Sequence, residues 1–515
     1  MKHLTSSVFS FVDMIQGNFL YVDKTEYIWR LIEPPKEMYF LARPRRFGKS
    51  LTVSTLKAVF EGKKELFKGL ALYDKPYEWK TYPVVHLDLN GWDFSGLEEV
   101  KSSLRGLIRE CAEEHHVSIT ADNHVEMFRQ LLKSLSEKTQ IVLLLDEYDK
   151  PILNNIGTPV ADDILKCLKN FYSVIKAFEG SLRLAFITGV SKFCHVSLFS
   201  DLNNLTDITM DARYATMLGY TQEELETNFA DRLEGVAAGG DLNALKSKIK
   251  KWYNGYRFEE NAETVYNPVS IAKFFESGGK FKNYWFSTGT PSFLMDVTKR
   301  TNFNFEAAFG NSVSEVAFSA FEIDNIDPLV LLLQTGYLTI KSTERKLGRI
   351  RYFLGFPNQE VEEAFSAYIL KSYAGKPETI AVNFAMDMAE ALMDGDLVRL
   401  RKVMEVFFAG IPYNVHKKNE ATFQAIFFAL FRLLGVYIEA ESCTNDGRID
   451  AVAQTDKAIY LFEFKMDDDL SALDQIKQKQ YFQKYLMDKR EIHLIGVNFD
   501  SMKGNLIGWE TGRAN

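Results

Sequence analysis

The sequence predicts an α/β protein in three parts: a parallel sheet covered by helices, a mostly helical middle region, and a smaller C-terminal α/β domain. Three observations carry that prediction. Over the first 210 residues, short apolar runs alternate with amphipathic stretches of helical period, the texture of strands joined by crossover helices. From about Asp211 to Phe408 helical periodicity dominates. Gly410-Ile-Pro412 then breaks the pattern, and the order beyond it reads helix, three strands, helix, strand. The 515 residues accordingly divide at 1–210, 211–410 and 411–515.

Each element has its local reason. Met38–Ala42 reads as the first strand, followed by a Gly-Lys-Ser turn that opens a helix through about Phe60. Pro83–Leu89 is the second strand, with helical stretches at Leu97–His115 and Val125–Ser136. Ile141–Leu145 is apolar throughout, as a strand buried on both faces requires. A helix over Leu165–Phe178 leads to the fourth strand, Leu182–Thr188. Thr221-Gln-Glu-Glu224 is a capping box, and Trp252-Tyr-Asn-Gly-Tyr256 and Tyr266-Asn-Pro268 punctuate the helical region with turns and short strands.

Composition excludes several classes. The formal charge is −8, with 46% apolar and 25% charged residues, which is ordinary for a folded chain and rules out disorder. The longest apolar runs, Ile141–Leu145 and Ala425–Phe431, fall well short of the roughly 18 residues that cross a bilayer. Asp13, Asp23 and Lys24 interrupt any signal-peptide layout. Cys111, Cys167, Cys194 and Cys443 are scattered without a Cys-x-x-Cys pair, so a reducing, cytoplasmic setting without a membrane partner is expected. Mild acidity argues against a protein coated in nucleic acid, although a local basic groove stays compatible with it.

The first chemical constellation lies between a strand and a helix, at Ala42-Arg-Pro-Arg-Arg-Phe-Gly-Lys-Ser50. A helix N-terminus offers unpaired N–H groups and a partial positive charge to a phosphate. Lys49 is placed to reach the β- and γ-phosphates of a nucleotide, and Ser50 to put its hydroxyl on Mg²⁺. The usual Gly-x-x-x-x-Gly-Lys-Ser pattern has glycine where this chain has Arg43, so the loop turns with a different backbone. Arg43, Arg45 and Arg46 add positive charge, and Pro44, Phe47 and Gly48 complete the cofactor-binding segment. Ile141-Val-Leu-Leu-Leu-Asp146-Glu147 supplies the second half, an apolar strand ending in two carboxylates. Asp146 is expected to hold Mg²⁺ through water and Glu147 to orient or deprotonate the attacking water. Leu182–Thr188 is expected between the two motif strands, with Thr188 near the γ-phosphate. Lys192, Arg213 and Arg257 are candidates for reaching that phosphate from outside the loop, though an ordinary ion-paired role is the commoner one for such residues.

These segments, together with Tyr21-Val-Asp-Lys24, Leu145-Asp-Glu-Tyr-Asp-Lys-Pro151, Thr188-Gly-Val-Ser-Lys-Phe193, Asn203-Asn-Leu-Thr-Asp207 and Trp252-Tyr-Asn-Gly-Tyr256, resemble the bacterial AAA-ATPase-like proteins. The resemblance spans nearly the whole chain, and that family shares the arginine-for-glycine loop. It implies a P-loop NTPase sheet, a lid-like or winged-helix-like middle, ATP as cofactor, and a C-terminal domain of the PD-(D/E)XK nuclease superfamily.

The C-terminal residues support that implication on their own chemistry. Phosphodiester hydrolysis needs carboxylates for Mg²⁺ and a cation near the scissile phosphate. Gly447-Arg-Ile-Asp450 begins one strand and Ala458-Ile-Tyr-Leu-Phe-Glu463-Phe-Lys465 forms the next, with a turn at Gln454–Lys457 that brings Asp450 toward Glu463. Glu463 and Lys465 are two apart and project to one face. Asp450 and Glu463 are the expected metal ligands, aided by the Phe464 carbonyl, and Lys465 the expected cation. Glu420 on the preceding helix, and Gln475 and Tyr481 on the following one, complete the PD-(D/E)XK order. Residues 415–515 hold thirteen Lys and Arg against fifteen Asp and Glu, so this domain is not itself basic. Lys477, Lys479, Lys484, Lys489 and Arg490 cluster near one helix, while Asp467-Asp-Asp469 repels a polyanion.

The leading expectation is an ATP-controlled, Mg²⁺-dependent nuclease acting on nucleic acid, with DNA the expected substrate. A nucleotide-switched binding or scaffold protein with an inactive nuclease fold is the competing one. The discriminator is whether Asp450, Glu463 and Lys465 converge. Assembly into a homo-oligomer is left open by the sequence.

Overall fold

The computed structural model describes residues 1–515 except 193–197, 200–201, 203, 286–291, 311, 319–326, 412–419, 436–437, 443–449, 467–470, 501–504 and 515. The chain forms two compact units, Met1–Trp285 with Ser314–Tyr352, and Phe286–Val313 with Phe353–Asn515. Residues 211–410 are thereby shared between the two.

The first unit is built on five parallel strands: β1 (Glu37–Ala42), β2 (Val84–Asp88), β3 (Ile141–Asp146), β4 (Leu182–Gly189) and β5 (Thr206–Asp207). Their order across the sheet is β2-β3-β4-β1-β5, which puts β4 between the two motif strands as expected. Every residue of β3 and β4 is buried, because helices cover both faces. Helix α1 (Lys49–Phe60) follows β1, α2 (Leu97–Glu114) and α3 (His124–Ser136) lie between β2 and β3, and α4 (Ala161–Ala177) precedes β4. In α2, Val100, Leu104, Leu107, Ile108 and Cys111 are buried at helical spacing, the single apolar stripe that docks on a sheet.

The middle helices have their own core. Leu225, Phe229, Leu233, Ile249, Tyr253, Tyr266, Ile271 and Phe274 pack together with Val22 of the N-terminal segment. The capping box is formed, with Thr221 and Glu224 each satisfying the other's backbone. A β-hairpin not anticipated in this helical stretch, β6 (Thr339–Lys346) and β7 (Arg349–Gly355), rises from a short helix at Pro328–Gln334, and the two residues Ser312–Val313 pair on β7 as a third, short strand.

The second unit holds a mixed sheet of β8 (Glu439–Ser442), β9 (Ala451–Gln454), β10 (Ala458–Met466), β11 (Glu491–Asp500) and β12 (Asn505–Ala514). The order is β12-β11-β10-β9-β8, antiparallel except for the parallel pair β10 and β11. The helix α5 (Glu420–Leu434) packs on one face, with Phe427 stacked on Phe464 and Phe431 edge-on to Phe462. The other face carries α6 (Ala472–Lys479), whose Leu473 and Ile476 close a core with Val452, Ile459, Leu461, Ile492 and Leu494. The alternation of β10 therefore aims Phe462 and Phe464 at α5, and Glu463 and Lys465 at the α6 side. One strand more than expected is present after α6. As an edge strand, β12 has only one neighbour and a weak apolar pattern, with Ile507 61% exposed. Among the described residues no helix is long and apolar enough to cross a membrane.

Candidate functional site

The loop after β1 turns on Gly48, whose φ of 97° lies in the left-handed region and which N-caps α1. Only glycine enters that region freely, so the first N–H groups of α1 are presented at the loop by the backbone of Gly48. Arg46 also sits at φ 66°, and its guanidinium donates to the Tyr284 carbonyl at 3.1 Å. Lys49 is buried, and its ammonium donates to the Arg43 and Pro44 carbonyls at 3.0 and 3.1 Å. Burial lowers its pKa, against the opposing pull of Glu147, Asp146 and Asp149.

Arg43 differs from the expectation of a cation lent to phosphates. It is 1% exposed, donates to the carbonyls of Ala42, Thr209 and Tyr214, and lies over the Phe258 ring at 4.2 Å. Burial pulls its pKa down to about 9. The guanidinium thus ties the loop to the segment after β5, the place its size dictates once glycine is absent. Pro44 and Phe47 are packed inward, with Phe47 edge-on to Tyr256 and Phe258, while Arg45 is exposed beside the loop.

Asp146 ends β3 at 1% exposure, with both carboxylate oxygens buried and unpaired. Burial lifts its carboxyl to about 6, Ser50 and Lys49 oppose the rise, and Asp88, in register on β2, adds to it. Glu147 follows at φ 54°, a left-handed conformation that a glutamate adopts only at a cost. Thr188, fully buried at the end of β4, has an unpaired hydroxyl. Orphaned buried groups of this kind carry an unmet desolvation cost. A magnesium nucleotide fits them, because it supplies a cation for Asp146 and acceptors for Thr188 and Lys49.

Beside Gly48, Leu51 and Thr52 lies an apolar cleft of about 560 Å³, walled by Tyr21, Val22, Phe47, Met217 and Pro268. Lys24, at its edge, is held by Glu224 at 2.6 Å and the Thr216 carbonyl at 2.8 Å. Of the outside candidates, Lys192 pairs with Asp207 at 2.6 Å and Arg213 with Asp211 at 2.6 Å, while Arg257 donates to the Lys341 carbonyl. All three are engaged in the commoner, structural way.

Sequence reasoning missed Asp149. Its buried carboxylate accepts from the Val190 and Ser191 amides and the Ser191 hydroxyl, at 3.1, 2.8 and 2.9 Å. It clamps the turn after β3 to the end of β4, fixing Glu147 relative to Thr188. The approach is close enough that a Cβ on Gly189 would meet the Tyr148 ring at 2.5 Å and the Asp149 oxygen at 2.6 Å. The only signal in the sequence is a third acid in Asp146-Glu-Tyr-Asp149, with nothing to say where it points.

In the second unit, the β9–β10 hairpin brings Asp450 to the Phe464 amide, which donates to Asp450 Oδ2 at 2.8 Å. Glu463 is 2% exposed; Gln475 of α6 donates to its Oε1, and its Oε2 is buried and unpaired. Burial and then the Asp450 charge push the Glu463 carboxyl up to about 8, with Lys465 opposing. Burial likewise lifts Asp450 to about 6, again opposed by Lys465. Asp450, Glu463, Lys465 and Gln475 therefore converge. Tyr481 lies beyond the end of α6, on a 3-10 turn at Tyr481–Tyr485 instead of the helix, and still lies near Gln475 and Glu463.

Glu420 opens α5, but its side chain lies outside the described residues, as do 447–449 and Asp467–Asp469. Arg490 is committed to Asp488 at 2.8 Å. Among the described residues no three His, Cys, Asp or Glu side chains form a metal cage. Each site offers carboxylates and a few oxygens, the kind of sparse donor set that suits Mg²⁺, which keeps much of its water.

A parallel sheet with Gly-Lys-Ser after β1 and Asp-Glu closing β3 defines a phosphate-loop nucleotide-binding unit, here followed by a nuclease-like mixed sheet. The comparisons with known proteins agree. The AAA-ATPase-like family, described as a predicted AAA-ATPase, matches residues 6–199, and the PD-(D/E)XK nuclease superfamily matches 418–509. An uncharacterized protein in the vnfD 5' region of Azotobacter chroococcum mcd 1 is 35% identical over 522 residues, covering 99% of this chain and 98% of the relative. The chain belongs to the family of AAA-ATPase-like proteins with a C-terminal PD-(D/E)XK superfamily domain. Among solved structures, the Aeropyrum pernix ORC2 protein (ADPNP-ADP complexes) is 13% identical, with 81% of this chain and 85% of that chain covered at a TM-score of 0.31. A likeness that low bears on neither site.

Proposed function

We propose that this chain binds and hydrolyses Mg·ATP at residues 43–50 and uses the nucleotide to control a Mg²⁺-dependent nuclease acting on DNA. The convergence of Asp450, Glu463 and Lys465 carries the proposal. A buried and a half-buried carboxylate side by side, the buried one with an unpaired oxygen, are stable as anions only beside a cation. A scaffold protein with a mis-set site would have no reason to keep them together.

In this reading residues 1–210 hold the nucleotide, 211–410 carry its effect, and 411–515 cut, in the cytoplasm. The cleft beside Gly48 and Leu51 takes the base, and the α1 N-terminus and Lys49 take the phosphates. Ser50 and Asp146 hold one Mg²⁺; Asp450, Glu463 and the Phe464 carbonyl hold another. Bound metal supplies charge neutralisation and an activated water. Glu147 orients the water at the ATP site, held to Thr188 by the Asp149 clamp. Lys465 offsets phosphate charge at the nuclease site, and Gln475 fixes the Glu463 carboxylate.

Glu147→Gln is expected to preserve ATP affinity and slow phosphate release by about 100-fold, the usual scale for losing a general base. The amide keeps the size of the carboxylate and loses its basicity. Equal phosphate release by wild type and variant removes Glu147 from the reaction. For the nuclease half, purified protein with linear DNA is expected to cut in Mg²⁺ and to stop in chelator; cutting unaffected by chelator contradicts the metal assignment.

A further inference from the structure

The hairpin of β6 and β7 concentrates charge in a way nothing in the fold explains. From Lys341 to Arg351 it carries five cations, Lys341, Arg345, Lys346, Arg349 and Arg351, against the single acid Glu344, in a chain of net charge −8. Along that stretch only Thr343 and Ile350 are even half-buried. The side chains of Arg345, Lys346, Arg349 and Arg351 make no ion pair or hydrogen bond among the described residues. Some partly exposed cations elsewhere are paired, as where Arg399 reaches Glu390 at 2.7 Å and Lys57 reaches Glu114 at 2.8 Å.

Three local rules are broken together at its tip. The turn residues are Leu347 and Gly348, with φ of 52° and 74°. Two left-handed residues make the two-residue hairpin turn, in which asparagine or aspartate suits the first position and leucine does not. Leu347 is also 92% exposed. Such a turn sets Lys346 directly across from Arg349, and like charges in that position repel. Departures of this kind concentrate where a partner repays them.

We propose that this hairpin is a DNA-binding ribbon that inserts into the major groove of a B-form duplex. The inference rests on the nucleic-acid reading above and supplies what that reading lacks, since residues 415–515 are weakly acidic. The third strand, Ser312–Val313, is only two residues long, and the hairpin itself is a two-stranded ribbon of the width that the B-DNA major groove admits, whereas the A-form RNA groove is too narrow for one. Lys346, Arg349 and Arg351, on one face, meet phosphates, which cancels the Lys346–Arg349 repulsion. Leu347 leads into the groove and makes apolar contact with base edges such as the thymine methyl.

The test is fluorescence anisotropy of the full chain on a labelled DNA duplex in chelator, which prevents cutting, across a salt series. Relative to wild type, the triple variant Lys346→Ala, Arg349→Ala, Arg351→Ala is expected to lose more than about tenfold in affinity, and its log–log salt slope is expected to flatten by about three. Leu347→Asn is expected to raise Tm, because asparagine suits the turn, while weakening binding. Unchanged affinity and slope in the triple variant, with wild type still binding DNA, overturn the hairpin assignment alone. A wild type that binds no DNA overturns the nucleic-acid reading with it. A triple-variant defect confined to duplex RNA or to anionic phospholipid vesicles overturns the choice of partner.

Discussion

Asp450→Ala is expected to reduce Mg²⁺-dependent DNA cleavage by about 10³-fold or more, since a metal-binding carboxylate at a phosphoryl centre is worth several kcal/mol of barrier. ATP affinity in the same variant is expected to equal that of wild type, because Asp450 belongs to the C-terminal unit. The fold should survive: Asp450 accepts one hydrogen bond, from the Phe464 amide, at the mouth of a hairpin whose other pairs remain. Removing it also relieves Glu463 of a neighbouring negative charge that helps hold its carboxyl up at about 8. A gel assay and calorimetry on one preparation check both halves. Cleavage that persists at the wild-type rate removes Asp450 from the reaction.

Lys49→Ala has the second large effect. Charge-assisted hydrogen bonds contribute about 1.5–3 kcal/mol each, so losing the ammonium from two phosphates is expected to weaken ATP binding by at least about 100-fold. The change frees the Arg43 and Pro44 carbonyls, and it also removes a buried charge, so the two effects on stability oppose each other. Calorimetry with ATP and a thermal melt separate loss of binding from loss of fold. Unchanged affinity contradicts the placement of the nucleotide.

Much of the first unit was legible because its chemistry obeys local periodicity. Ile141–Leu145 reads as a strand buried on both faces because it is apolar throughout, and the place of β4 between it and β1 was expected from the paired Gly-Lys-Ser and Asp-Glu motifs. The pairing of Glu463 with Lys465 was equally legible from strand alternation. Arg43 was not: its charge suggested phosphate, while its bulk, in place of glycine, drives it into the Thr209 and Tyr214 carbonyls. Asp149 was invisible for the converse reason, since a third acid in a turn acquires meaning only when β4 brings Val190 and Ser191 beside it. The β6–β7 hairpin was hidden by its own composition. The outer half, Lys341 to Arg349, is charged and exposed and lacks the apolar alternation that Ile350, Tyr352 and Leu354 show further along β7, and Leu347 stands where a turn-forming residue is looked for.

Nucleotide at one site is proposed to govern cutting at the other. Such control requires the nucleotide to favour one of two arrangements of the chain. The most direct measurement is the rate of Mg²⁺-dependent cleavage of linear DNA by wild type and Lys49→Ala, each with and without ATP. ATP is expected to change the wild-type rate severalfold and to leave the Lys49→Ala rate unmoved. A wild-type rate identical with and without ATP contradicts it.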